Sequence, residues 1–393
     1  MGYPTSKPGG QATFNAHDGF VEALVRGYRL GFLTDNDYRA VLQCDNLSDV
    51  RLNLQETDYG NFLADLAQVS PSAVRERALD KLVQEFTYLK CNAASPLREF
   101  LDYITYDYMI DNVMLILKAT LNNPNVDIMS LVKQANPLGL FEDSVLKSIC
   151  AFENSEKGYA ELYQSVLVDT PIGPYFAQFL ADESNNKTNH GAGEVQSMLS
   201  ELPTTKLENA LRKYYLEDFA KFCEYLEGGT AEQMRTLIMA RADAAVINIT
   251  LNSFGTALND PNMRTTERRA LYPSMGFLYP EGTEALSQVG DENELATILR
   301  GYQVYRSIFD KHQRGDKTID DAFYEREVEL NELAFESQNN YACFYAYVRL
   351  KEQEIRNLVW MCECIVQRQK DRTVDHFVPI FSLDAGFRSL AKK

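Results

Sequence analysis

Carboxylates that recur at helical spacing are the residues of this chain best suited to chemistry. Asp102, Asp107 and Asp111 follow one another at intervals of five and four residues, which places them near one face of a helix. Three such side chains could hold a cation, since Ca²⁺ and Mg²⁺ take oxygen ligands. Carboxylates at helical spacing more commonly mark a solvated face or one turned toward a basic partner. The pattern therefore favours a solvated or partner-facing surface over a metal site.

A second charged group, Glu352, Glu354 and Arg356, interrupts an otherwise apolar helical pattern near the C-terminus. One interpretation is a lattice of surface salt bridges, in which each pair contributes about 0.3–0.5 kcal/mol. The other is a polar face that lines a cavity and receives another subunit. The residues by themselves leave both interpretations open.

Motifs of nucleotide binding, zinc proteolysis and serine hydrolysis are not found in the sequence. It contains no GxxxxGK[ST], no HExxH and no GxSxG, and its four histidines lack ligand spacing. The seven cysteines include no CxxC pair, which is typical of small buried hydrophobic residues in a reducing compartment. We therefore expect no catalytic residue, no cofactor and no metal site.

The net charge of the 393 residues bears on the class of partner. A formal net charge of −17 argues against nucleic acid, whose phosphates are bound by clustered Lys and Arg, and disfavours anionic lipid. The same charge suits a basic protein partner. The most apolar stretch, residues 104–121, carries three charged side chains and is not expected to span a membrane. The N-terminus has no apolar core of the signal-peptide kind, so we expect the chain in the cytosol.

Long amphipathic helices must position the charged residues. Residues 341–369 have apolar positions at spacings of three, four and seven and no Pro or Gly, which predicts a helix of about 43 Å. Two earlier stretches, 96–121 and 234–258, share this pattern, and each ends shortly before a proline. A further helix is expected from Glu292 to Phe309. The fold is therefore expected to be all-α.

The long helices alternate with acidic-Asn pairs that are typical of helix starts, Asp45-Asn46, Glu153-Asn154 and Glu292-Asn293. This order predicts three related helical bundles, the third closed by the two ends of the chain. The alternative is that any all-helical protein shows weak self-similarity. The predicted division is a flexible tail (1–13), the N-terminal half of the third bundle (14–76), the first bundle (77–199, with a polar loop at 182–197), the second bundle (200–330), the C-terminal half of the third bundle (331–381) and a C-terminal extension (382–393).

Eight stretches carry a resemblance to one protein family. They are TDYGNFL (57–63), DYITYDYMIDNV (102–113), LVDTPIGPYF (167–176), ITLNSFGTAL (249–258), LYPEG (278–282), LNELAF (330–335), YVRLKEQEIRNLVW (347–360) and VPIF (378–381). Together they resemble subunit d of the V-type proton-pumping ATPase, the central-stalk subunit of its membrane sector. The chain departs from the family at the N-terminal tail, around residues 182–197 and after residue 381.

The resemblance implies an all-helical funnel with internal pseudo-threefold symmetry. It also implies a non-catalytic place in the rotor, on the cytosolic face of an acidic-organelle membrane or the plasma membrane. Such a funnel sits on the proteolipid c-ring and receives the shaft of subunits D and F, with subunit a as a further candidate contact. The subunit would then transmit torque from ATP hydrolysis to proton translocation. A helical-repeat adaptor without a rotary role is the alternative.

Within this interpretation, the negative net charge of the chain suits a funnel that attracts basic side chains of the shaft. The candidate residues of the partner interface are Asp107, Asp111, Glu352, Glu354 and Arg356. Equivalent faces of related helices would bring these residues to one cavity.

Overall fold

All regular structure that the chain adopts in its described ranges is helical, and none of it is β-strand. The prediction of an all-α fold is therefore confirmed. No helix in these ranges is both long enough and apolar enough to cross a membrane. The computed structural model describes residues 11–65, 68–122, 128–139, 141, 170–186, 204–314 and 317–382.

The α-helices of these ranges are numbered here in chain order, and the longest have 22 to 26 residues. They are α1 (Gln11–His17), α2 (Gly19–Gly27), α3 (Asp35–Gln43), α4 (Leu47–Asn53), α5 (Gly60–Leu63), α6 (Pro71–Asn92), α7 (Leu97–Asn122), α8 (Ile128–Gln134), α9 (Gly173–Asn186), α10 (Thr204–Leu226), α11 (Gly228–Ser253), α12 (Pro261–Met263), α13 (Glu281–Leu286), α14 (Glu292–Leu299), α15 (Gln303–Gln313), α16 (Ile319–Glu336), α17 (Ala342–Val366) and α18 (Thr373–His376). A π-helical turn, Arg264–Arg268, follows α12.

Side-chain caps fix several helix starts. Thr34 accepts a hydrogen bond from the backbone N–H of Asp37, whose carboxylate accepts one from the Thr34 N–H, and this capping box begins α3. Asn46 caps α4, since its side-chain oxygen accepts a hydrogen bond from the N–H of Asp49. Both starts agree with the sequence prediction, because a capping side chain acts within three residues of its own position.

Several predicted limits are wrong. Helix α11 ends at Ser253 rather than near residue 259, because Gly255 turns the chain with a φ of 78°. The helix predicted over residues 292–309 is two helices, since Tyr302 adopts an extended backbone between α14 and α15. Helix α1 begins at Gln11, inside the predicted tail. Helix α9 continues through Asn186, inside the predicted polar loop, since no Pro or Gly follows Pro174 until Gly191.

Contacts divide the chain into two compact units. The terminal unit comprises Met1–Leu101, Cys223–Ala244 and Asp291–Lys393, and the inner unit comprises Asp102–Phe222 and Ala245–Gly290. The three-bundle division and the funnel stay predictions. Parts of these predictions concern residues 1–10, the pair Glu153-Asn154, and residues 187–197 and 383–393, all of which lie outside the described ranges.

Helix α17 is the centre of the terminal unit. It packs against α16 and α6 and also contacts α2 and α4. Eighteen of its 25 residues are buried, so it is enclosed on most sides rather than along the single stripe that the sequence predicts. Polar side chains on such a helix need partners inside the protein, because an unpaired buried polar group is costly.

Aromatic packing joins three helices of the inner unit. The Tyr103 ring of α7 stacks on Phe219 and Phe222 of α10, with centroids 5.4 and 4.5 Å away. The hydroxyls of Tyr103 and of Tyr175 on α9 both donate to the carboxylate of Asp218, at 3.1 and 2.8 Å. One carboxylate of α10 thus holds both neighbouring helices.

A buried arginine connects two segments of the inner unit. Arg268 is fully buried, and its guanidinium donates to the carbonyl oxygens of Leu286, Ser287 and Val289 at 3.1, 3.0 and 2.7 Å. It also donates to Ser253 Oγ at 2.9 Å. Burial lowers the pKa of Arg268, and these oxygens offset the loss of water around its charge. The π-helical turn is thereby tied to the chain that follows α13.

Candidate functional site

The five candidate interface residues form two separate clusters, one in each unit. Asp107 and Asp111 lie on α7 in the inner unit, and we call them with their partners the α7 cluster. Glu352, Glu354 and Arg356 lie on α17 in the terminal unit, and with their partners they form the α17 cluster. Each cluster is described within its own unit.

One guanidinium gathers the carboxylates of the α7 cluster. Arg212 on α10 donates from Nη1 to Asp107 Oδ1 at 3.2 Å, and from Nη2 to Asp111 and to Glu208 Oε1, the latter at 3.1 Å. Lys118 pairs with the other oxygen of Glu208. Arg212 and Lys118 together thus contact three carboxylates. Asp107 is 7% exposed and Asp111 is 44% exposed, so Asp111 is the aspartate of the pair that reaches the surface.

The cations of the α7 cluster also set the charge of Glu208. Burial by itself would raise the pKa of Glu208, but the bonds from Lys118 and Arg212 outweigh burial and lower it. The carboxylate is thus held in its ionised form. The described residues contain no group of three or more side chains placed to bind a metal, and Arg212 supplies the positive charge between Asp107 and Asp111.

Glu354 belongs to the buried half of the α17 cluster. Its carboxylate is 0% exposed and accepts hydrogen bonds from the Leu33 N–H and the Tyr59 hydroxyl, both at 2.6 Å, and from Lys351 Nζ at 2.7 Å. Lys351 is 1% exposed and also donates to the Gly31 carbonyl oxygen at 2.9 Å. Burial raises the pKa of Tyr59 far above its usual range, and the nearby Glu354 carboxylate adds to this shift. Glu354 is therefore bonded inside the terminal unit and not exposed to a partner.

The outer half of the α17 cluster is a lattice of ion pairs with α16. Arg349 donates from Nε to Glu327 Oε1 and from Nη1 to Glu352 Oε2, both at 2.7 Å. The Arg356 guanidinium carbon lies 3.5 Å from the centroid of the Tyr324 ring, in a cation–π contact. Glu352 is 21% exposed and Arg356 is half-buried. Glu352 thus takes part in a salt-bridge lattice, one of the two interpretations that the sequence left open. Arg356 instead donates from Nη1 to Gln353 Oε1 at 2.9 Å and lies over the Tyr324 ring.

A small polar pocket lies within this lattice, lined by Glu327, Arg349, Glu352 and Asn331 among others. The Asn331 side chain is buried and donates from Nδ2 to the Glu327 carbonyl oxygen at 2.7 Å. Among the residues that the structure describes, none donates to Asn331 Oδ1. Burial by itself would raise the pKa of Glu327, but the charge and hydrogen bond of Arg349 outweigh burial and lower it.

Sequence reasoning missed the basic partners of the candidate acids. Lys351 and Arg349 each precede their glutamate by three residues, so the i,i+3 spacing on α17 could have predicted both pairs. Arg212 follows Asp111 by 101 residues, and no local spacing signals that pair. Asn331 was also missed, because its burial in the polar pocket depends on the packing of α16 against α17.

The described ranges thus consist of long helices whose buried faces pack together and whose charged side chains are paired within each unit. The family described as ATP synthase (C/AC39) subunit matches residues 21–376, and the chain belongs to this family. It is 41% identical over 376 residues to V-type proton ATPase subunit d of Dictyostelium discoideum, an alignment that covers 95% of this chain and 98% of the relative. It is 42% identical over 371 residues to the probable V-type proton ATPase subunit d of Oryza sativa subsp. japonica, which covers 94% of this chain and 98% of the relative. It is 36% identical over 371 residues to V-type proton ATPase subunit d of Saccharomyces cerevisiae, which covers 94% of this chain and 99% of the relative. The family resemblance predicted from the sequence is confirmed.

Proposed function

We propose that this protein is a non-catalytic rotor subunit of a V-type proton-pumping ATPase. It couples the central shaft of subunits D and F to the proteolipid c-ring and so transmits torque from ATP hydrolysis to proton translocation, with subunit a as a further contact. The observation that carries the proposal is the 36–42% identity, over 94–95% of the chain, to proteins named V-type proton ATPase subunit d. We place it on the cytosolic face of an acidic-organelle membrane or the plasma membrane, attached through the membrane sector.

The stiffness that torque transmission needs is supported by the packing of the terminal unit. Close-packed interiors resist compression, and α17 is buried along most of its length. Hydrogen bonds also connect residues that are distant in sequence: Glu354 accepts from Tyr59, and the Tyr341 hydroxyl donates to Asp18 at 2.9 Å. Relative movement of these segments would break buried hydrogen bonds, so the unit should deform little under load.

We assign partner contact to the more exposed candidates, Asp111, Glu352 and Arg356. Their side chains reach the surface, and basic side chains of a shaft subunit would be attracted to the two carboxylates. Asp107 and Asp111 both pair with Arg212, so Asp107 helps to position the guanidinium that Asp111 contacts. Glu354 fixes the position of α17 through its buried hydrogen bonds. A torque-bearing joint should bury more than the roughly 1,600 Å² of a standard protein interface, so these residues form only part of it.

Purification of the tagged protein from detergent-solubilised membranes, followed by quantitative mass spectrometry, tests the proposal. We expect c-ring proteolipids and subunits D and F in stoichiometric amounts. A matched control is the same protein with Glu232→Lys, an exposed position outside both clusters, which should recover the same partners. Recovery of none of these subunits by the unaltered protein, from cells in which the pump is assembled, would contradict the rotor assignment.

A further inference from the structure

A cleft of about 790 Å³ in the terminal unit has no part in the proposed function. It lies beside the turn that follows α2 and is within the roughly 300–1,000 Å³ typical of binding pockets. Three half-buried aromatic side chains, Tyr28, Phe32 and Phe62, line it. Leu30, another lining residue, is 92% exposed. Leu30 and the accessible parts of the three rings thus give the cleft some apolar surface beside its polar groups.

The charged residues of the cleft are mainly acidic. Among the described residues that line the cleft, the carboxylates are those of Asp37, Glu56, Asp58 and Glu85 and the one cation is Lys81, which gives these residues a formal net charge of −3. Glu56 and Asp58 are exposed. A cleft of this charge repels phosphates and anionic lipid headgroups and attracts ammonium and guanidinium groups.

Lys81 shows how the cleft accommodates a cation. Its Nζ lies 2.8 Å from Asp58 Oδ2, pairs also with Glu85, and is 5.9 Å from the centroid of the Phe62 ring. Carboxylates and an aromatic ring therefore hold one ammonium group already, although Lys81 is almost fully buried. Glu56 and the exposed side of Asp58 lie toward solvent, where a second cation would meet the same kinds of group.

We propose that this acidic cleft binds a short basic segment of a partner protein. An Arg or Lys side chain of the segment pairs with Glu56 and Asp58, and a neighbouring Leu or aromatic side chain packs on Leu30, Tyr28 and Phe62. The charge complementarity and the exposed apolar surface carry this inference, and it does not rest on the rotor assignment. The net charge of −17 would also favour the approach of a basic segment at low ionic strength.

The first test measures binding of a fluorescein-labelled peptide of alternating Arg and Leu by fluorescence anisotropy. Glu56→Gln combined with Asp58→Asn should weaken binding about 3- to 10-fold, since two partly exposed pairs are lost. The matched control, Glu232→Gln with Glu281→Gln, removes the same charge at exposed positions outside the cleft and should change binding less than about twofold. Equal weakening by both double variants, or no binding by the unaltered protein, would overturn the proposal.

The second test finds the occupant in the assembled protein. A photo-crosslinking amino acid at Leu30 should join the chain to an Arg- or Lys-bearing segment of another protein, whereas one at the exposed Leu333 should not join that segment. The crosslink should be lost when Glu56→Gln and Asp58→Asn are present. Crosslinks only to the chain's own residues 383–393, which contain Arg388 and two lysines, or no crosslinks at all, would contradict a partner segment.

Discussion

The buried half of the α17 cluster and the outer part of the α7 cluster pair the same kinds of side chain in opposite surroundings. Lys351 and Glu354 are 1% and 0% exposed, whereas Arg212 and Asp111 are 31% and 44% exposed. Breaking a buried pair leaves an uncompensated charge and costs about 3–5 kcal/mol, whereas a surface pair contributes about 0–1 kcal/mol. Burial, and not residue type, therefore determines which charged residues stabilise the fold and which are accessible to a partner.

The largest expected effect comes from breaking the buried pair. Glu354→Gln should lower the free energy of unfolding by about 3–5 kcal/mol, because Lys351 keeps its charge without an ionised partner. Urea denaturation followed by circular dichroism measures this loss. The matched control is Glu352→Gln on the same helix, which should cost about 1 kcal/mol or less. A loss for Glu354→Gln no larger than that of the control would remove the distinction between the buried and the outer half of the α17 cluster.

Removal of both buried charges tests whether the uncompensated charge causes the loss of stability in Glu354→Gln. Lys351→Met combined with Glu354→Leu should recover part of the stability that Glu354→Gln loses, since apolar residues of similar volume leave no buried charge. Recovery should be incomplete, because the Leu33 N–H and the Tyr59 hydroxyl lose their acceptor. A double variant less stable than Glu354→Gln would contradict this expectation, since the lost acceptor would then cost more than the removal of the uncompensated charge recovers.

A smaller effect is expected in the α7 cluster. Arg212→Gln should lower the free energy of unfolding by about 1–2 kcal/mol, because Asp107 is nearly buried while Asp111 and Glu208 remain accessible to water. High salt should reduce the difference in unfolding free energy between Arg212→Gln and the unaltered protein, because salt screens exposed charges. The corresponding difference for Glu354→Gln should change much less, since that pair is buried. Equal salt dependence of the two variants would argue that Glu354 and the α7 cluster have the same surroundings.

The smallest expected effect is a pH dependence at Glu327. The folded-state pKa of this partly exposed carboxylate is lowered, so its interaction with Arg349 stabilises the fold above the ordinary value of 4.5. That contribution is lost as the pH falls from 4.5 through the lowered pKa of the folded state. The stability difference between the unaltered protein and Glu327→Gln should therefore shrink as the pH is lowered through this window. Denaturation at several pH values checks it, and a difference that grows toward acid pH would contradict the assigned direction.

Local signals in the sequence predict part of this structure. The start of α3 at Thr34 and the extent of α7 follow from capping residues and apolar periodicity, which act over a few residues. The ends of α11 and α14 were not predicted, because single residues, Gly255 and Tyr302, turn the backbone there.

The candidate site was less predictable than the helices. Glu354 appears in the sequence as one of several charges on an amphipathic helix, yet its acceptor atoms bond to residues 295 and 321 positions away. The enclosure of α17 depends on these distant segments, so periodicity along the helix could not separate Glu354 from Glu352. The i,i+3 pairing with Lys351 was the one local signal that a buried pair could have been considered.

The most direct test of the account combines Asp111→Lys with Glu352→Lys in the assembled pump. The variant should fold, because both positions are partly exposed, and circular dichroism with urea denaturation verifies this. ATP-driven proton transport by isolated membranes, measured with recovery of subunits D and F, should then fall by at least about tenfold, since like charges across an interface are strongly unfavourable. The control Glu232→Lys should leave both unchanged. Full transport and full recovery with the folded double variant would contradict the assignment of the exposed charges to partner contact.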